Sequence, residues 1–70
     1  MQVNVIFKEN GNILVDDLTK IIRHTSSGEN IQITDFNQFS LLKHANFTFI
    51  GKKGSLTFRA DDVLCVKFMS

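Results

Sequence analysis

The residues of this chain that could do chemistry are few and scattered. They are two histidines, His24 and His44, one cysteine, Cys65, and two acidic pairs, Asp16-Asp17 and Asp61-Asp62. Nucleophilic catalysis needs a thiol or hydroxyl within hydrogen-bond reach of a base that a third group orients. Cys65 stands inside the apolar run Val63-Leu64-Cys65-Val66, where a thiol acts as a small inert hydrophobe. The histidines lie far apart with no motif beside either, and read as isolated surface or loop positions. No two of these groups stand at the short intervals of a zinc site, so no metal is expected. The aspartate pairs suit an acid/base couple or calcium poorly, because neighbours on a strand point to opposite faces. Paired Asp before an apolar run is turn or capping chemistry. The expectation is a protein that is not an enzyme and carries no cofactor.

One charged cluster offers a candidate binding surface. Gly51-Lys52-Lys53-Gly54 lacks the spacing of a phosphate-binding loop and reads as a hairpin tip. Lys52, Lys53 and Arg59, with Lys67, form a candidate partner-binding patch beside Phe47, Phe49 and Phe58. Small barrels that bind single strands combine a basic groove with exposed aromatics. The pleat opposes this use: Phe47, Phe49, Leu56 and Phe58 share one face, while Thr48, Ser55, Thr57 and Arg59 share the other. A protein partner is therefore the leading expectation, with self-association, and nucleic-acid binding through Lys52, Lys53 and Arg59 is the alternative. A net charge of +1 gives no global attraction to nucleic acid or anionic lipid.

The elements that must position these residues are mainly strands. Val3-Asn4-Val5-Ile6-Phe7 alternates, Glu9-Asn10-Gly11-Asn12 is a turn of the hairpin-favouring Asn-Gly type, and Ile13-Leu14-Val15 returns. Phe47 to Ile50 and Ser55 to Arg59 form a second hairpin, and Val63 to Phe68 is β-branched and aromatic. The segment from Asp16 to His24 is ambiguous. Leu18, Ile21, Ile22 and Thr25 have helical spacing, yet the parallel with the C-terminal end favours a strand after a tight Asp-Asp turn. Ile31-Gln32-Ile33-Thr34 alternates and should pair back on it. Between 35 and 45, Phe36, Phe39 and Leu42 suit either a short helical turn capped by Asp35 or Asn37, or an irregular connection with its Phe residues tucked under the sheet.

The two ends read as diverged copies of one pattern: apolar run, turn with glycine, apolar run, Asp-Asp, apolar run, the match needing a two-residue gap between the glycine and the acidic pair because the second copy is longer there. The expected fold is one domain spanning 1–70, an antiparallel meander or barrel-like arrangement of six or seven short strands, as two hairpin-plus-strand units joined by the 25–45 segment. An α+β fold with a short helix near 16–25 is the alternative. The run 63–69 carries one charge, Lys67. It should be a central strand if both faces are covered, and otherwise a dimer contact or partner edge.

Composition sets the remaining limits. Seventy residues make one small domain, and no apolar stretch approaches the roughly 20 residues of a spanning helix, so no membrane is expected. Seven Phe without Tyr or Trp point to a Phe core. A lone cysteine and no visible signal peptide suggest the cytoplasm. In its length and in the phrases Asn10-Gly11-Asn12-Ile13-Leu14-Val15-Asp16-Asp17-Leu18 and Phe47-Thr48-Phe49-Ile50-Gly51, the chain resembles small uncharacterised proteins of prophages in Gram-positive bacteria. The resemblance implies an accessory protein that works by binding, and no site residues.

Overall fold

The computed structural model describes residues 1–9 and 11–70. Asn10, half of the Asn-Gly turn expected from the sequence, lies outside the described residues. Among the described residues, seven strands follow in order: β1 (Gln2–Phe7), β2 (Asn12–Val15), β3 (Leu18–His24), β4 (Asn30–Ile33), β5 (Asn46–Gly51), β6 (Ser55–Arg59) and β7 (Val63–Met69). They form two antiparallel sheets, ordered β2-β1-β7 and β4-β3-β5-β6. The stretch Leu18–His24 is strand and not helix.

The paired pattern in the sequence becomes a strand exchange. β1 and β2 pair as a hairpin in the first sheet, but β3 leaves it and pairs with β5 in the second. Likewise β5 and β6 pair in the second sheet, and β7 returns to pair with β1 in the first. Each unit thus donates its third strand to the other. The equivalence extends to single hydrogen bonds. The Lys8 N–H donates to the Asp62 carbonyl at 3.0 Å, and the Lys52 N–H to the Asp17 carbonyl at 3.2 Å. The Leu18 N–H donates to Met1 and the Ala60 N–H to Ala45, both at 2.8 Å; here the acceptors correspond and the donors do not, since Leu18 matches Val63. Both Asp-Asp pairs sit at the crossings, Asp17 with φ 51° and Asp61-Asp62 in a 3-10 turn over Ala60–Asp62. Turn chemistry is what they perform.

Burial follows the same correspondence. Val3 and Val5 on β1, and Phe47 and Phe49 on β5, are fully buried; Val15 and Phe58 match, as do Leu18 and Val63. Both third strands carry a bulge at the same place. Leu18 and Lys20 oppose Gly51 and Ile50, leaving Thr19 extra, and Val63 and Cys65 oppose Phe7 and Ile6, leaving Leu64 extra.

All seven Phe rings join the core or pack against it. Asp35 accepts a hydrogen bond from the Asn37 N–H at 3.1 Å and caps a 3-10 turn over Phe36–Gln38. That turn delivers Phe39 to the interior, with ring centroids 5.2, 5.5 and 5.7 Å from Phe47, Phe49 and Phe68. Phe36 stacks on Phe68 at 5.8 Å. The irregular segment therefore plugs the space between the two sheets.

Candidate functional site

The hairpin geometry brings two of the four basic residues together and separates the others. Lys52 and Lys53 sit at the exposed tip between β5 and β6. Arg59 ends β6 opposite Asn46, so the length of the strand, about 13 Å, separates it from that tip. Its Nε donates to Asp61 Oδ2 at 3.2 Å. Lys67 lies in the other sheet, opposite Asn4. Phe47, Phe49 and Phe58 are buried, so no ring of theirs lies beside the lysines.

The two histidines are less isolated than their sequence positions suggest. His44, at φ 66°, closes the 35–45 segment onto the β6–β7 crossing. Its backbone N–H donates to Asp61 Oδ1 at 3.0 Å, and its Nδ1 lies 2.8 Å from Asp61 Oδ2. That backbone hydrogen bond first, then the ring, holds the Asp61 carboxyl below the usual carboxylate range; the charges of His44 and Arg59 add to it. An imidazole oriented by a carboxylate is two-thirds of a nucleophilic triad. Among the described residues, no hydroxyl or thiol is hydrogen bonded to His44, and Cys65 lies opposite Ile6 on β1. The cluster acts as a corner clamp.

His24 ends β3 and bridges strands. Its Nδ1 lies 2.9 Å from Asn30 Oδ1 on β4 and its Nε2 2.7 Å from Thr48 Oγ1 on β5. Thr48 Oγ1 in turn lies 2.9 Å from Thr57 Oγ1 on β6. One polar chain thus crosses all four strands on the outer face of the second sheet. It ties registers together, and within it the Thr48 hydroxyl lies beside an imidazole that Asn30 orients, the outline of a nucleophile with its base, although Thr48 Oγ1 is shared with Thr57.

Among the described residues, three surfaces have the shape of a binding site. One is a cleft of about 220 Å³ between β2 and the start of β6, lined by Ile13, Leu14, Val15, Asp16, Lys53, Gly54, Ser55 and Leu56. A second, of about 260 Å³, is lined by Phe7, Lys8, Glu9, Asp61 and Asp62. The third is the free edge of β7. This is the longest edge strand, seven residues, and it carries one charge, Lys67. Among the described residues, its backbone pairs with β1 alone. Its inner side is backed by Phe36 and Phe39 against Phe68, and Leu64, the bulged residue, is 66% exposed. The sequence left open whether 63–69 is central or at an edge, because the answer depends on which strands pair at long range. It is an edge.

Among the described residues, no three His, Cys, Asp or Glu side chains converge on a point, and no helix is long and apolar enough to cross a membrane. No family model, curated protein or solved structure matches the chain.

Proposed function

We propose that the protein is a non-enzymatic binding module that acts through protein–protein contacts at the β7 edge. The observation that carries this reading is a seven-residue strand whose outer backbone is unpaired among the described residues and whose single charge is Lys67. A free edge offers a ladder of hydrogen bonds to an incoming strand, and alternate side chains give selectivity. Apolar side chains add to it: Leu64 is exposed, and Cys65, Val66, Phe68 and Met69 are partly so. Self-association through the same edge belongs to this reading, since a small core gains stability from a partner that binds only the folded state. The resemblance of its two hairpins to prophage proteins supports a bacterial or prophage accessory role, exerted in the cytoplasm.

The test is capture of partners from the source cell, read beside the solution mass, for the native protein and for Leu64→Asp/Lys67→Glu. The reading expects a captured protein or a dimer with the native chain, and loss of it with the variant. A monomer that captures nothing, or capture that the variant leaves unchanged, would defeat it. Binding of single-stranded oligonucleotide at low salt, abolished by Lys52→Glu/Lys53→Glu, would favour the nucleic-acid alternative instead.

A further inference from the structure

The first half of the molecule shows how an edge of this kind is covered. Under the correspondence between the two halves, β3 matches β7, β5 matches β1 and β6 matches β2. The second sheet has one strand more: β4 lies on the outer edge of β3. Among the described residues, no strand takes the equivalent place beside β7. β4 pairs antiparallel with the C-terminal half of β3, Ile21 opposite Ile33, Ile22 opposite Gln32, Arg23 opposite Ile31 and His24 opposite Asn30. Ile33, facing inward, packs against the core.

The same register carried over to β7 specifies an occupant. Ile21, Ile22, Arg23 and His24 correspond to Val66, Lys67, Phe68 and Met69. The residues opposite Val66 and Phe68 would face inward, toward a surface that Phe36 and Phe39 already form against Phe68. The residue opposite Lys67 would face outward. Lys67 is exposed, and its cross-strand neighbour on β1 is the uncharged Asn4. We infer that the β7 edge takes a fourth strand from a partner protein: a short antiparallel segment, apolar opposite Val66 and Phe68, with an acidic residue opposite Lys67.

Charge argues for a partner of this chemistry over a second copy. A symmetric β7–β7 pairing centred on Lys67 sets two lysines opposite each other, which is destabilising. Lysine on an edge is also a common guard against indiscriminate pairing. An acid across from it turns the guard into a selective contact.

This inference rests on the protein-binding reading above and is tested separately from it. The probe is a synthetic peptide of residues 28–35, which spans β4, made with Gln32→Glu and, as its contrast, with Gln32→Lys. Amide hydrogen exchange of the intact protein is followed at millimolar peptide. The β7 amides that point away from β1 should exchange freely alone and become protected on peptide addition. The glutamate peptide should bind about two- to fivefold more tightly than the lysine peptide. Lys67→Glu in the protein should invert that order.

Protection on β2 or β3 instead, or none with either peptide, would overturn the inference. So would β7 protection that rises with protein concentration in the absence of peptide, which would make a second copy the occupant. If the inference fails while partner capture still depends on Leu64 and Lys67, the protein-binding reading survives without it.

Discussion

Thr19 on β3 and Leu64 on β7 are the same residue in the two halves of the molecule: each is the unpaired extra position of a bulge, one residue after a buried aliphatic. The bulge shifts the pleat by one. Leu18 and Ile21 can therefore both face the core although three positions separate them, and Val63 and Val66 repeat the arrangement.

A deletion separates the side chain from its backbone role. Leu64→Ser should change stability by no more than about 0.5 kcal/mol, because the side chain is 66% exposed. Removing Leu64 altogether restores a plain pleat and turns either Val63 or Val66 outward. The deletion variant should lose its cooperative thermal transition, read by circular dichroism.

Two glycines in one hairpin should respond oppositely. A Cβ on Gly51 would collide with the Asp16 carbonyl and lie 3.0 Å from Val15 Cγ1, at the corner where β2 gives way to β3. A Cβ on Gly54 meets nothing within 4 Å. Gly51→Ala should cost about 1–3 kcal/mol in urea unfolding, as overpacking does, and Gly54→Ala should be close to neutral.

Local pattern made the elements legible and left their partners hidden. Alternation marked both hairpins, and it put Phe47, Phe49 and Phe58 inward, where they are buried. The 16–24 stretch looked partly helical because the bulge at Thr19 spaces Leu18 and Ile21 like a helical face. Nothing local encodes that β3 pairs with β5, or β7 with β1, since those choices are made between residues distant in the chain. For the same reason the free edge of β7 could not be read in advance, nor the separation of Lys67 from Lys52 and Lys53. The ties between His24 and Thr48, and between His44 and Asp61, likewise appear only once the strands are in register.

The His24–Thr48 contact should show energetic coupling. Thr48 Oγ1 sits between His24 Nε2 at 2.7 Å and Thr57 Oγ1 at 2.9 Å. A double-mutant cycle of His24→Ala and Thr48→Val should give a coupling of about 0.5–1 kcal/mol, because each change removes one hydrogen-bond partner of the other group on a half-buried face while Asn30 and Thr57 remain in place. Additive effects would show that the chain across the sheet contributes no stability of its own.

The clamp at the β6–β7 crossing should make the protein sensitive to acid. Asp61 is held below its ordinary value of 3.8, chiefly by the His44 backbone N–H and then by the His44 ring, with the Arg59 charge the smallest contribution. A carboxyl depressed in the folded state adds stability that is complete above its unfolded pKa. That stability is lost as pH falls through the lower folded value, because the unfolded chain takes up the proton first. The native melting temperature should therefore decline below about pH 4, and Asp61→Asn should melt lower near neutrality while declining less on acidification. The two curves should converge in strong acid, where the native Asp61 is also protonated. Arg59→Gln should move the profile less than Asp61→Asn, and added salt should reduce its effect, since an exposed pair is readily screened. Parallel curves for the native protein and Asp61→Asn from about pH 2 to 5 would show that other carboxylates set the acid limit.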